Sequence, residues 1–312
     1  MAGENLVYDY ALKINIVGGV PAQNLSFLKT PLVVVKPKSG FSDTGVIIDI
    51  TSPSQIAAIT DNANVVKLFD AGIAKILMIA IDTDLTTLDA LFASRVNDFF
   101  TILISDDFTD AQKAAASIGA LFKGVVGFSS DELSFALANA QVAGRSLYYS
   151  DEANMFYAFG KLLSQVSWTN LQYETLLNDD EIIDASTAES LFNARASFSL
   201  KDAAQANRLS FFVQGGEAII APYVLKEIEL RLQDETVNWI ALNKPNYDEA
   251  DCSILAQYLT EKVLSPYIAA RTIASGRVQI TTQGGQNFIA NGTISIPKPT
   301  ALWRVQANLY NA

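Results

Sequence analysis

The sequence predicts an α/β protein with a mostly parallel sheet flanked by helices, a smaller C-terminal α+β domain and extended terminal β-strand arms. Three observations lead to this fold class. Short apolar runs alternate with segments of helical periodicity, polar residues follow each run, and both chain ends alternate apolar and polar residues. The predicted divisions are an N-terminal arm at 1–18, an α/β domain at 19–199, an α+β domain at 200–300 and a C-terminal arm at 301–312.

Five apolar runs predict the strands of the α/β sheet. A run that is apolar at every position is typical of a strand buried on both faces, as in parallel sheets covered by helices. The segments between the runs have helical periodicity, so right-handed crossovers are expected. The runs are "VIIDI" (46–50), "KILMIAI" (75–81), "FFTILIS" (99–105), "KGVVGF" (123–128) and "RSLYY" (145–149).

Each of these runs ends in Ser, Thr or Asp, as in "ITSPS", "ISDDF" and "YSDEA". Such residues cap the free N–H groups of a following helix, and negative charge is favoured at a helix N-terminus. Capping is therefore the predicted role of the Asp106-Asp107 pair, and Pro53 is predicted in a first helical turn. The alternative is a metal or phosphate site at the carboxyl edge of the sheet. The sequence has no phosphate-loop motif and no Lys or Arg predicted near these strand ends, which disfavours that alternative.

The C-terminal part predicts long helices and a few strands. Apolar residues at helical spacing indicate helices at 223–243 and 247–270. The strands are expected at "RLSFFVQ" (208–214), "RVQITT" (277–282) and "GTISIP" (292–297).

Composition excludes several classes of function. The chain of 312 residues has no histidine and a single cysteine, Cys252, which removes the commonest general base and most transition-metal sites. The formal charge of −11 disfavours nucleic-acid binding. No apolar run approaches the roughly 20 residues of a membrane span, and no export signal is present, so a soluble cytoplasmic chain without membrane insertion is expected. No catalytic residues, cofactor or metal ligands are predicted.

The chain ends have the period-two alternation of half-buried strands. These strands either complete the chain's own sheet or pair with the sheet edge of a neighbouring copy. The apolar positions are Leu6, Tyr8, Tyr10, Leu12 and Ile14 at the N-terminus, and Trp303, Val305, Ala307 and Leu309 at the C-terminus.

In the order of its elements the chain resembles the sheath proteins of bacteriophage contractile tails and related injection systems. The resemblance begins at "VIIDITSPSQIAAI" (46–59) and continues through "NVVKLFDAGIAKILMIAI" (64–81). It returns at the helix ending "ETVNWIALNKP" (235–245) and the helix "ILAQYLTEKVLSPYIAARTIASG" (254–276). Large outer insertions found in many sheaths are missing from this short chain.

The resemblance implies a virion structural protein without enzymatic activity. Copies would assemble in the host cytoplasm into a helical sleeve around an inner tail tube protein, and the sleeve would contract to drive the tube outward. The terminal arms would exchange strands between neighbours, and the sleeve would meet baseplate and tail terminator proteins. The alternative is an α/β enzyme or ligand-binding protein, of the Mg-dependent phosphoryl-transfer type, that uses the carboxyl edge of the sheet.

Overall fold

The structure is a computed structural model of the full chain. It describes residues 7–16, 25–82, 85, 88, 98–116, 124–166, 168, 171, 174–177, 183–202, 204–215, 217–246, 248–282 and 288–297. The described residues form two compact units. One comprises residues 26–219, and the other comprises the N-terminal strand together with residues 220–297.

The first unit is built on a six-stranded sheet. The order across the sheet is β3-β4-β2-β5-β6-β7, and every neighbouring pair is parallel except β3 with β4. The predicted mostly parallel α/β sheet is therefore confirmed. The strands are β2 (Pro31–Val35), β3 (Ile47–Ile50), β4 (Ile76–Ala80), β5 (Thr101–Ile104), β6 (Val125–Ser130) and β7 (Arg145–Tyr149).

Two features of this sheet differ from the predicted series. The central strand β2 was not in the series, although all five of its residues are buried. The first predicted strand, β3, is an antiparallel edge strand. No helix lies between β2 and β3, so the chain re-enters the sheet from the edge at which β2 ended.

Helices cover both faces of the sheet. On one face, Leu32, Ile102 and Phe128 pack in a core with Ala136 and Leu191 from two helices. On the other face, a Cβ atom at Gly127 would lie 2.6 Å from the ring of Phe159. The helices of this unit are α1 (Pro53–Ile56), α2 (Lys67–Asp70), α3 (Asp110–Ala115), α4 (Leu133–Asn139), α5 (Glu152–Ser164) and α6 (Ala185–Ala194), with 3-10 turns at Leu25–Leu28 and Ala63–Val66.

Four short strands extend the first unit past the predicted boundary at 199. Ser197 N donates to Leu147 O at 2.9 Å, which attaches this segment to the outer side of β7. Ser146 Oγ donates to Val213 O at 2.7 Å, which ties the next segment to the same strand. Because of these bonds the unit runs to Ile219. The strands are β8 (Phe198–Lys201), β9 (Asn207–Phe211), β10 (Val213–Gln214) and β11 (Glu217–Ala218).

The second unit combines long helices with a three-stranded antiparallel sheet of order β1-β13-β12. Its second helix passes through a π-helical turn at Thr260–Leu264, just before Pro266. Tyr258 and Tyr267 each donate a 2.7 Å hydrogen bond to a glutamate of the first helix. The elements are β1 (Val7–Ile16), α7 (Ala221–Asn243), α8 (Glu249–Leu259), α9 (Ser265–Ala269), β12 (Ser275–Thr282) and β13 (Phe288–Pro297).

The described helices include none that combines the length and apolarity needed to span a bilayer.

The contact beneath Gly127 generates a stability prediction. A Cβ atom there would lie 2.6 Å from Phe159 Cε2 and 2.8 Å from Leu103 Cδ2, so Gly127→Ala overpacks this face of the sheet. We expect a loss of about 1–3 kcal/mol in the free energy of unfolding. Denaturant unfolding measures it, with the partly exposed Leu137→Ala as a control that changes little. Equal stability of Gly127→Ala and the wild type would contradict the packing described here.

Candidate functional site

An acidic cleft of about 590 Å³ lies at the carboxyl edge of the six-stranded sheet. The segments that follow β5, β6 and β7 form most of its wall, as expected for the ligand-binding edge of such a sheet. We call it the acidic cleft throughout. It is lined by Asn64, Asp106, Phe108, Thr109, Asp110, Lys113, Ser130, Asp131, Ser150, Asp151 and Glu152.

Lys113 is a buried cation in this cleft. Its side chain is 3% exposed, and Nζ lies 2.7 Å from Asp106 Oδ1 and 2.9 Å from Asp110 Oδ1. Nζ also donates to the carbonyl oxygen of Ser129 at 2.5 Å. Burial of an ammonium group is tolerated only when it is paired and hydrogen-bonded, and these three acceptors meet that requirement. The expectation that no Lys or Arg lies near these strand ends is therefore wrong.

Asp106 and Asp107 do not cap the helix that follows them, so the capping prediction is wrong for this pair. The N-cap of α3 is Thr109, which forms a capping box with Gln112. Asp106 accepts instead from Lys113 and from Ser129 Oγ, the latter at 2.9 Å. Asp107 Oδ2 accepts from Ser105 Oγ at 2.8 Å and from the amide of Lys36 at 3.3 Å. The pair ties strand ends together across the sheet.

Two opposing effects act on the pKa of Asp106. Partial burial in the cleft raises it above the ordinary value, because burial disfavours the charged form. The hydrogen bonds and charge of Lys113, together with Ser129, act in the opposite direction. The net shift is upward.

Glu152 is a buried acid of the cleft, and its carboxylate connects three segments of the chain. The residue is 6% exposed. Its Oε1 accepts from the amide of Asp106 at 2.7 Å, and its Oε2 accepts from Asn64 Nδ2 at 2.8 Å. Asn62 Nδ2 lies 3.0 Å from Oε1 and 3.1 Å from Oε2. Burial raises the pKa of Glu152, while these hydrogen bonds partly offset that effect.

Three backbone N–H groups at this edge donate to the chain's own side chains. Glu152 accepts from the amide of Asp106, and Asp107 accepts from the amide of Lys36. Asp151, the N-cap of α5, accepts from the amide of Ala153 at 2.8 Å. A phosphate group at such an edge binds N–H donors and cations. These three amides are used and Lys113 is already paired, which disfavours a phosphate site.

A metal site is not supported either. Within the described residues, no group of three acidic or thiol side chains converges well enough to hold a metal ion. Two of the acids that line the cleft, Asp106 and Asp110, share Lys113.

The other helix caps predicted at strand ends agree with the structure in part. Ser52 is the N-cap of α1, Pro53 stands in the first turn, and Gln55 Oε1 accepts from the amide of Ser52 at 3.1 Å. Asp151 caps α5 as predicted. The residue at the N-cap of α4 is Glu132, whose side chain makes no capping bond. Its amide donates to Ser130 Oγ at 3.1 Å instead.

The predicted arm residues fall partly within the described residues. The N-terminal strand is present as β1, and it pairs antiparallel with β13 of the same chain. Tyr8, Tyr10, Leu12 and Ile14 stand opposite Ile296, Ile294, Gly292 and Ala290 in this ladder. Leu6, Trp303, Val305, Ala307 and Leu309 lie outside the described residues. A role of either end between subunits stays a prediction.

Sequence reasoning missed Lys113, Glu152, Asn62 and Asn64. One signal was available for Lys113, because it stands three residues after Asp110 in an alanine-rich helix, at a spacing that brings opposite charges together. The partners of Glu152 lie 88 and 90 residues away in the chain, and no local pattern indicates them.

Comparison with known proteins identifies the fold. The chain matches one from the baseplate of the anti-feeding prophage with a TM-score of 0.63 and 13% identity, covering 97% of each chain. It matches the helical sheath of the anti-feeding prophage in its contracted state with a TM-score of 0.59 and 12% identity, covering 93% of this chain and 92% of that one.

A third solved structure agrees. The sheath tail protein of Desulfitobacterium hafniense matches with a TM-score of 0.54 and 7% identity, covering 90% of this chain and 100% of that one. The chain has the sheath tail fold. No protein-family model matches the sequence, and no curated protein matches it. The sheath tail fold spans both units, since each alignment covers nine-tenths or more of the chain.

The buried ion pairs of Lys113 generate the second prediction. Lys113→Met leaves Asp106 and Asp110 without their cation, and we expect a loss of about 1–3 kcal/mol in the free energy of unfolding. The matched control is Lys67→Met, which removes the more exposed Lys67–Asp70 pair and should cost no more than about 1 kcal/mol. Denaturant unfolding compares the two. Equal losses would contradict the buried character of the Lys113 cluster.

The raised pKa of Glu152 leads to a prediction about how stability depends on pH. A carboxyl with a higher pKa in the folded state binds more protons there than in the unfolded chain, so its contribution to stability is lost as pH rises above the ordinary value of 4.5. Wild type should therefore lose stability relative to Glu152→Gln as pH rises from 4.5 through the folded-state pKa. Thermal unfolding of both proteins across this range measures the difference. A difference that is constant or of opposite sign would contradict the assignment.

Proposed function

We propose that this chain is a structural subunit of a contractile tail sheath. The observation that carries the proposal is the match over nine-tenths or more of the chain to a helical sheath and to a sheath tail protein. The carboxyl edge is consistent with it, because several amides and carboxylates at the edge that binds ligands in many α/β enzymes form internal hydrogen bonds here. The phosphoryl-transfer alternative is disfavoured, because Lys113, the cation that lines the acidic cleft, is already shared by Asp106 and Asp110.

The three-stranded sheet of the second unit supplies the means of assembly in this proposal. Among the described strands, β12 pairs only with β13, so its other edge has no strand partner there. Along β12, Val278 and Ile280 are buried while Arg277, Gln279 and Thr281 are exposed. An incoming strand with period-two alternation matches such an edge, and residues 302–309 have that alternation.

In this proposal the N-terminal strand is also exchanged between neighbouring subunits. The β1–β13 ladder runs over ten residue pairs, from Val7↔Pro297 to Ile16↔Phe288. The same ladder can form between two copies, because domain exchange keeps the native contacts and changes only which chain provides them. In the sleeve, β1 of one subunit pairs with β13 of its neighbour.

Self-assembly defines the partners and the location. Copies of this chain form a helical sleeve around an inner tail tube protein, and the sleeve contacts baseplate and tail terminator proteins. The sleeve assembles in the host cytoplasm, becomes part of the virion tail, and contracts to drive the tube outward. No enzymatic step, cofactor or nucleic acid takes part.

Assembly of chains altered in the C-terminal arm tests this proposal. A chain truncated before Trp303 should keep the melting temperature of the unassembled subunit and fail to form long sleeves, because residues 302–309 find their partner only in a neighbour. Val305→Pro removes one ladder donor and should act in the same way, whereas the control Val305→Ala retains the donor and should assemble.

Electron microscopy of assembly and thermal unfolding of the subunit are the two measurements. Normal sleeves from the truncated chain, or a large fall in subunit melting temperature without a separate assembly defect, would rule out the proposed role of this arm.

A further inference from the structure

The π-helical turn at Thr260–Leu264 lies between two tyrosines that both bind α7. Tyr258 Oη donates to Glu235 Oε2 and Tyr267 Oη donates to Glu227 Oε1, each at 2.7 Å. The two glutamates are eight residues apart on α7, whereas the two tyrosines are nine residues apart. The second helix therefore uses one residue more than α7 to span the same two contacts.

The π-helical turn absorbs this extra residue. An α-helix turns by about 100° per residue, so a regular α-helix with this spacing would rotate Tyr267 by about 100° away from Glu227. A π-helical turn closes i→i+5 hydrogen bonds and so holds one residue more than an α-helical turn. The amide of Ser265 donates to the carbonyl oxygen of Thr260, which is a bond of this kind. The π register thus keeps both tyrosines on their glutamates.

Pro266 reduces the difference between the π register and an α register. Proline has no N–H group, so it cannot donate to the carbonyl oxygen of Lys262 as a regular α-helix requires. Conversion to an α register would pass the Ser265 amide to the next carbonyl along the chain and keep it bonded. The Tyr267–Glu227 bond, which depends on the π register, then decides between the two.

Arg231 holds Glu227 in position for this bond. Its Nε donates to Glu227 Oε1 at 2.9 Å, on the same carboxylate oxygen that accepts from Tyr267. The guanidinium also lies over the Tyr267 ring, 5.9 Å from the ring centroid. The three side chains form one cluster, so the contact that selects the π register is supported from α7.

Tyr267 is also bonded to the start of β12. Its carbonyl oxygen accepts from the amide of Thr272 at 2.9 Å and from that of Ile273 at 3.4 Å. The amide of Ala274 then donates to Ser295 O of β13 at 2.7 Å. Thr272 Oγ1 is buried and finds no hydrogen-bond partner among the described residues, which is a cost of this connection in the π register. A rotation at Tyr267 would therefore move the first residues of β12.

We propose that the π-helical turn is a two-register joint that controls the placement of β12. In the π register, Tyr267 is bonded to Glu227 and β12 pairs with β13 as described. In the α register, the segment 265–270 turns by about 100°, Tyr267 leaves Glu227 and the start of β12 shifts. The open edge of β12 receives a neighbour's strand in the function proposed above, and the π register is the one that admits it. Only this last step rests on the proposed function.

Hydrogen exchange of the full-length unassembled chain tests the joint. Tyr267→Phe removes the bond that holds the π register, and we expect exchange of the Ser265 and Thr272 amides to rise at least about tenfold. The matched control is Tyr258→Phe, which removes an equally short bond to α7 before the turn and should leave exchange of those amides unchanged. No change in Tyr267→Phe, or equal rises in both variants, would overturn the proposal.

Deletion of one residue from the turn should reverse the effect of Tyr267→Phe. Without the exposed Glu261, an uninterrupted α-helix places the two tyrosine positions eight residues apart, as the glutamates are. Such a helix has a single register, so the deletion added to Tyr267→Phe should return exchange of the Thr272 amide to the wild-type rate. The control deletes the exposed Gln257, which leaves the spacing at nine residues and should give no recovery. Failure of the Glu261 deletion to restore protection would contradict the joint.

Electron microscopy of assembly separates the joint from the function proposed above. If the wild type forms sleeves, Tyr267→Phe should form fewer and shorter ones, and the added deletion of Glu261 should restore them. Sleeves of Tyr267→Phe identical to those of the wild type would overturn the control of strand capture by the joint. If the wild type forms no sleeves, the proposed function fails, while the exchange rates still decide whether the joint exists.

Discussion

The buried ammonium of Lys113 and the carboxylates around it organise the carboxyl edge of the six-stranded sheet. Asp106 connects this cation to β6 through Ser129, and Glu152 connects the amide of Asp106 to the turn that carries Asn64. Each group satisfies another that would be costly to bury alone. The segments that would form mobile ligand-binding loops in an α/β enzyme are cross-linked to each other here.

The six-stranded sheet does not by itself determine what this chain does. The doubly covered sheet is an architecture that supports many activities, and its usual binding edge is mostly spent on internal bonds. Among the described strands, β12 of the second unit has one edge without a strand partner. Assembly through strand edges uses backbone groups, which every sequence provides, so it needs no catalytic residues. A chain without histidine is compatible with such a role.

Much of the sheet could be predicted because burial on both faces leaves a continuous apolar run, and all five predicted runs are strands. The strand β2 has the same apolar character but was not recognised, and the antiparallel direction of β3 depends on a connection that contains no helix. The local signals placed Ser52 at an N-cap, Pro53 in a first turn and Asp151 as a cap correctly, although the Ser52 side chain makes no capping bond. The roles of Asp106 and Glu152 could not be predicted, because their partners are brought close only by the folded sheet. The same limit applies to β1, whose alternation indicates a strand and does not indicate which chain it joins.

The most direct test of strand exchange is a disulfide across the β1–β13 ladder, where Lys13 stands opposite Asn291. In a background of Cys252→Ser, one chain carries Lys13→Cys and a second, distinguishable in mass, carries Asn291→Cys. The two are co-assembled and oxidised, and the products are separated under non-reducing conditions. The account predicts a disulfide-linked pair of the two chains in assembled material and none in the unassembled protein. A double variant that closes the bond only within single chains, in particles that are fully assembled, would contradict it.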